Sequence, residues 1–382
     1  MPRLTFIKSG RYPVNKSHLV YAIMVGVFFT SFPAEAFKPS PEGSFIERKL
    51  ASRSQSTWER ILSYFALEGI HKFGEPVHEE ITNRILGCEG DADICGAPEY
   101  DPDNAYFLAG VRWNDDPPFR FEQGHGRFSG CEPGATIRLV TFPRCWANVF
   151  KDGETRAREG ASFDAKSSAP LLLRSHFGDM QFLHSMACKD KEPAAVTREK
   201  ILAWAEFTWR VASGEFPLSM PVKDVPIRGL SDLFENKGWS ILDLFSLGNP
   251  HVRKPESMSK LAFGSLLHLV EDSFARGHTE RAVPDPRAKC EGTMKEHPAP
   301  GEIKEFHFYG QQDPKKHEAE DTRIAFSTHW SGTKPNVIEV GRMLYQYYTE
   351  GKKWENVKPY IECIFALDSE VRPAGAGENY AR

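Results

Sequence analysis

Apolar residues recur at intervals of three and four along most of this chain, the spacing that gives a helix one buried face. The pattern predicts helices over residues 58–67, 77–86, 105–113, 171–188, 196–213, 261–274, 337–348 and 354–367. Thr197 is the expected N-cap for the stripe Ile201, Trp204, Ala205 and Trp209, and Gly277 the expected stop for the helix over 261–274. Strand-like alternation is confined to patches such as 135–142. Gly/Pro/Asp-rich segments over 89–103, 117–134 and 282–302 are too long for simple connectors. With no linker of biased composition and no repeat of fixed period, the expectation is a mainly α fold, a single multi-helix domain with long loops.

The first 36 residues depart from this pattern. Arg3, Lys8, Arg11 and Lys16 precede the apolar stretch from Leu19 to Phe32, which is followed by Ala34-Glu35-Ala36. Basic region, apolar core and Ala-x-Ala together predict a secretory signal peptide cut after Ala36, leaving residues 37–382 as the catalytic domain. The core is shorter than the roughly 20 residues a helix needs to cross a bilayer. The predicted localisation is secreted, periplasmic or extracellular. Losing the segment removes four basic residues and one acidic residue and moves the net charge from −4 to −7. That balance gives no support to an electrostatic grip on nucleic acid. In an exported chain seven cysteines point to disulfides, with the close pairs Cys88/Cys95 and Cys131/Cys145 favoured. A monomer is expected.

The candidate chemistry centres on Leu266-Leu267-His268-Leu269-Val270-Glu271-Asp272, followed by His278 just past Gly277. His268 and Asp272, four apart, share one helical face, so an imidazole nitrogen and a carboxylate oxygen can reach one cation at zinc-like distances. His317 and Asp321 repeat the spacing. Upstream, Trp113-Asn114-Asp115-Asp116 ends an apolar helix in paired carboxylates, His78 opens another helix, and His176 and His184 lie on the segment over 171–188.

In this order the motifs resemble the trinuclear zinc phosphodiesterase superfamily, which includes secreted bacterial phospholipases C and single-strand-specific zinc nucleases. The resemblance spans about Phe73 to Asp321, its specific element being the 268–278 motif. It implies up to three zinc ions. Asp115, His268, Asp272 and a helix histidine would hold the first; His278, His317 and Asp321 the second; His78 and Asp272 the third. Either His184, which is favoured, or His176 would be the helix histidine. In that superfamily an N-terminal aromatic residue also binds the third ion. Phe73 is internal here, and His71 is the alternative side-chain ligand. Asp115 is the candidate catalytic residue, bridging ions and orienting the attacking water. Arg276 or Arg281 could contact phosphate.

The substrate expectation is phospholipid, phosphatidylcholine or similar, cleaved on the glycerol side of the phosphodiester during transient contact with a membrane surface. Trp239 and Phe245, within Trp239-Ser240-Ile241-Leu242-Asp243-Leu244-Phe245, are candidate lipid contacts. The Ser273-Phe274-Ala275-Arg276-Gly277-His278 ending and the acidic charge favour lipid over nucleic acid. A single-strand-specific zinc nuclease is the alternative, and a non-catalytic metal-binding exported protein the second alternative.

Overall fold

The computed structural model describes residues 46–47, 76–97, 101–121, 128, 130–234, 238–247, 252–320, 322–330 and 333–382. The chain separates into residues 1–32 and 33–382, and the first of these falls outside the described residues. The signal-peptide expectation and the helix over 58–67 lie there or in other undescribed stretches, as do His71, Phe73 and Asp321.

The described part is mainly helical. Its longer helices are α1 (Val77–Ile85), α2 (Ala92–Cys95), α3 (Ala105–Val111), α4 (Pro143–Arg158), α5 (Leu171–Phe177) and α6 (Ala194–Ala212). They continue with α7 (Ile241–Ser246), α8 (Pro255–Asp272), α9 (Pro314–Glu320), α10 (Arg323–Trp330), α11 (Val337–Thr349) and α12 (Trp354–Ile364). A short antiparallel pair, β1 (Thr279–Arg281) with β2 (Ile303–Phe306), sets Thr279 opposite Phe306. The patch over 135–142 forms no strand; Ile137 makes only an isolated bridge with Phe119.

Helix α8 is the axis of the molecule. Its second half, from Leu261 to Asp272, is buried at every position, because other helices cover all its faces. The closest is α3. A Cβ on Gly110 would stand 2.1 Å from the Leu261 carbonyl oxygen, and one on Gly264 would stand 2.2 Å from that of Phe107. Only two glycines let the backbones approach this far. On another side Trp204 of α6 donates from its indole to Ser265 Oγ at 3.1 Å.

Two expected caps fall elsewhere. Helix α6 begins at Ala194, three residues before Thr197, whose hydroxyl donates instead to Glu192 at 2.8 Å. Helix α8 ends at Asp272 and its cap is Ser273, short of Gly277. The helix expected over 171–188 is broken at Gly178, where a Cβ would lie 1.9 Å from the Phe163 carbonyl oxygen. A single 3-10 turn, Gln181–His184, follows. Helix α4 went unpredicted although Trp146, Val149, Phe150 and Gly153 keep helical spacing.

Disulfides join Cys88 to Cys95, Cys131 to Cys145 and Cys290 to Cys363, the first two as expected, and Cys188 is a free thiol. These bridges are compatible with an exported protein. Among the described residues no helix is long and apolar enough to cross a membrane.

Phe245 corrects the lipid-lip expectation. Ser240 and Asp243 cap α7 reciprocally, and that start turns Ile241, Leu244 and Phe245 inward. Phe245 is 1% exposed, with its ring 5.1 Å from that of Trp113 and 6.0 Å from that of Phe207. Trp239 packs half-buried against the same core.

Because the α3–α8 contact is backbone to backbone, Gly264→Ala is expected to destabilise the protein by about 3 kcal/mol, at the upper end of overpacking effects. Urea unfolding measures this, and an unchanged midpoint would contradict the close contact.

Candidate metal centre

The α3–α8 contact carries two proposed ligands into place. His268 lies one turn beyond Gly264 on α8, and Asp115 follows the end of α3. Asn114 locks the arrangement: its amide donates to the carbonyls of Leu183 (2.8 Å) and Ser265 (3.3 Å), and its Oδ1 accepts from Ser265 Oγ (2.6 Å). One buried side chain thus ties together neighbours of Asp115, His184 and His268.

Around that clamp four ligand atoms converge. His268 Nε2 is 2.9 Å from Asp272 Oδ2 and 3.0 Å from His184 Nδ1, which is itself 3.0 Å from Asp272 Oδ2. Asp115 Oδ1 completes the group at 3.6 Å from His184 Nδ1 and 3.9 Å from His268 Nε2. Tetrahedral ligands at zinc distances stand about 3.3 Å from each other. The second oxygen of each carboxylate turns to another histidine: Asp272 Oδ1 is 3.3 Å and Asp115 Oδ2 4.0 Å from His78 Nε2. Both carboxylates are therefore shared between the four-atom group and His78.

His278 and His317 stack beside this group with ring centres 5.0 Å apart and planes at 17°. His278 Nδ1 is fixed by the His184 carbonyl at 2.7 Å, which turns Nε2 away from that carbonyl. The structure places all the described members of the expected ligand set in one buried cluster. His184, not His176, is the histidine in contact with His268 and Asp272. His176 stands next to it, ring centres 4.9 Å apart, and could share a cation with Asp115 and His184.

The chemistry of the donor set fits a metal. His78, His268, Asp272, His278 and His317 are 0% exposed and Asp115 1%. Asp272 and Glu271 form no ion pair with lysine or arginine among the described residues; their recorded partners are histidines and Thr82. Buried carboxylates without a cation are costly. Burial holds His268 down to about 3, and lowers His278, His317 and His176 as well. Neutral imidazoles are what metal ligation requires. Burial acts to neutralise Asp272, but its contacts with His268 and His278 and its hydrogen bond with His184 outweigh it and hold the carboxyl well below its usual range.

His78 behaves differently. Burial opposes its protonation, yet hydrogen bonds and charge from Asp272 and Glu271 raise it well above the usual range. Its Nδ1 lies 2.5 Å from Glu271 Oε2, and Thr82 donates to Glu271 Oε1 at 2.8 Å. A carboxylate behind a histidine fixes the tautomer and turns the other nitrogen to the metal. Sequence reasoning missed Glu271, although it stands three residues after His268 and hence on the same helical face. An acidic residue beside a ligand reads as solvated until a partner histidine appears on another helix.

A further buried ionic network flanks these ligands. Arg112 pairs with Glu79 at 2.7 Å and Glu47 at 2.9 Å, and Arg138 with Glu47 at 2.8 Å and Asp116 at 3.3 Å. Glu79 follows His78 and Asp116 follows Asp115, so the network anchors the backbone on both sides of the cluster. Of the expected phosphate contacts, Arg276 is exposed. Arg281 donates to the carbonyls of Ser273, Gly301 and Ile364, closing the ends of α8 and α12.

Beside the cluster lies a chamber of about 20 Å³ bounded by His176, Gln181, His184, Tyr309 and His317. His176, Gln181 and Tyr309 also line an adjoining cavity of about 550 Å³, whose other walls include Phe163, Phe177 and Phe308. No family model, curated protein or solved structure matches this chain.

After chelation, acidification below about pH 6.5 is expected to destabilise the fold. Histidines held below their unfolded value leave the unfolded state binding more protons, so stability falls as pH drops. The effect of His78 is opposite, present below its unfolded value and lost as pH rises through its raised one, and the raised carboxyls of Asp116 and Glu271 also take up protons in the folded state, but four lowered histidines outweigh them. A loss of about 1 kcal/mol or more per pH unit between about pH 6.5 and 5 is expected from urea midpoints; a flat profile would contradict neutral buried histidines.

Proposed function

We propose that this chain is a zinc-dependent phosphodiesterase and, within that class, a phospholipase C. The observation that supports it most is the pair of shared carboxylates, Asp115 and Asp272, each set between the His184/His268 group and His78. Structural zinc sites are commonly closed and cysteine-rich. Here the proposed ligands are histidines and aspartates, all described cysteines but Cys188 are in disulfides, and a small chamber borders the cluster at His184 and His317.

His78, Asp115, His184, His268, Asp272, His278 and His317 are the described residues that would hold zinc. Zinc when bound supplies Lewis-acid polarisation of a phosphoryl oxygen and lowers the pKa of water toward neutrality. With zinc bound, Asp115 would orient the attacking water and take up its proton. Asn114 and Ser265 keep that carboxylate against His268, and Glu271 keeps His78 turned inward. The buried cluster excludes bulk solvent, and substrate would approach it from the cavity side, past His176 and Tyr309.

A single-strand-specific nuclease is the second reading, favoured by the aromatic cavity wall, where the Phe177 and Tyr309 rings lie 6.0 Å apart. Such rings can stack a base. With the Phe245 ring buried, the choice of lipid rests on the resemblance of the motif around His278 and on the negative net charge.

The deciding experiment is hydrolysis of phospholipid vesicles against single-stranded DNA, each after chelation and again after zinc is restored. Zinc-restored release of the phosphorylated headgroup with diacylglycerol supports phospholipase C; nucleotide release without lipid turnover overturns it in favour of nuclease; the absence of both overturns the phosphodiesterase reading. Asp115→Asn is expected to lower kcat at least about 100-fold, in the range of general-base losses, with circular dichroism and disulfides unchanged. Unfolding of this variant would instead support a structural metal site.

A further inference from the structure

The 550 Å³ cavity has the size of a pocket for one small organic group. Its inner end, where it meets the chamber beside the histidine cluster, carries two buried polar atoms whose hydrogen-bonding sense is fixed. Gln181 is 2% exposed, and its Nε2 donates to the Gly178 carbonyl at 3.2 Å. A carbonyl can only accept, so the NH2 side of the amide must face Gly178 and Oε1 the other way. That oxygen has no hydrogen-bond partner among the described residues.

His176 is held by the same logic. Its Nδ1 lies 2.9 Å from both the Leu172 carbonyl and Ser175 Oγ; the carbonyl only accepts, so Nδ1 carries the proton and Nε2 presents the lone pair that could join Asp115 and His184 around a cation. His176 is 8% exposed, and its Nε2 too has no hydrogen-bond partner among the described residues. Both residues line the chamber and the cavity. A buried acceptor left unsatisfied is costly, whereas one met by a donor is not.

We infer that this cavity binds the polar alcohol portion of the phosphodiester, and that Gln181 selects one bearing N–H or O–H donors over one bearing only a quaternary ammonium. This rests on the phospholipase C reading and replaces its phosphatidylcholine preference with a preference for a primary-amine headgroup. A trimethylammonium group has methyl groups only and leaves the Gln181 oxygen unmet. A primary ammonium has three donors, one of which can meet it. Gln181 is here a specificity-determining residue; its place in the chain next to the His184 turn follows from the break at Gly178.

The test is hydrolysis of mixed vesicles, matched in surface charge and packing, that contain either phosphatidylethanolamine or phosphatidylcholine as the cleavable lipid, using the zinc-restored full chain. The expected result is a kcat/KM at least about tenfold higher for the ethanolamine lipid, the discrimination typical of one unmet buried acceptor. Equal rates, or a preference for choline, would overturn the inference while leaving the phospholipase reading intact. Turnover of neither lipid would overturn that reading and the inference with it. Gln181→Leu should bring the ratio toward one, whereas Gln181→Glu, which keeps an acceptor, should retain it. Zinc content measured on each variant separates loss of selection from loss of the metal centre, and a ratio unmoved by Gln181→Leu at full zinc content also counts against the proposal.

Discussion

The approach of α3 to α8 through Gly110 and Gly264 is the constraint on which the site depends. A helix normally keeps its neighbour at side-chain distance, and the catalytic groups of two such helices would then be separated by the packing layer between them. Removing both Cβ atoms brings the end of α3 close enough for Asn114 to hydrogen-bond the backbone of Ser265 directly. Asp115 is then set against His268 by a clamp of main chain and amide. Carboxylates placed on flexible stems would need to be ordered at the moment of ligand binding; these are ordered by the fold itself, which is the arrangement a preorganised metal site requires.

The same region concentrates charge that a protein interior ordinarily avoids. Two solutions coexist side by side. Around Arg112 and Arg138 the acids Glu47, Glu79 and Asp116 are matched by guanidinium groups, and the result is a rigid strut between α1 and α3. Around Asp272 and Glu271 the partners among the described residues are imidazoles and the Thr82 hydroxyl, and burial keeps two of those imidazoles, His268 and His278, neutral. Arginine cannot be displaced as a ligand binds, while a neutral imidazole offers a lone pair. The difference between a strut and a centre is thus chemical, and it is decided by which basic residue faces the acids.

Much of this was legible in the sequence. The 268–278 motif, Asp115 after an apolar helix and His78 at a helix start depend on local spacing, and local spacing survives folding. The disulfides Cys88–Cys95 and Cys131–Cys145 were legible for the same reason, since short loops bring their ends together at little entropic cost. Cys290–Cys363 closes 73 residues and could not be read from spacing. Nor could the link from Glu271 to His78, 193 residues apart, or the Gly110/Gly264 contact, because each half is unremarkable alone. The Phe245 error had a physical origin: an apolar run with polar caps looks alike whether its ring meets lipid or Trp113, and only the neighbours Trp204 and Phe207 decide.

The break at Gly178 shows how a failed helix can be more informative than a formed one. Had residues 171–188 run on as predicted, His176 and His184, eight residues apart, would have fallen near one face, two turns and about 12 Å from each other. The tight fit against the Phe163 carbonyl instead turns the chain, and Ser185 leaves the 3-10 turn with a positive φ of 52°. The two rings come within 4.9 Å, one inside the His268/Asp272 group and the other at the chamber wall. The segment that read as a choice between two ligands therefore supplies two different parts of one site, and the turn between them carries Gln181 to the place where the cavity opens.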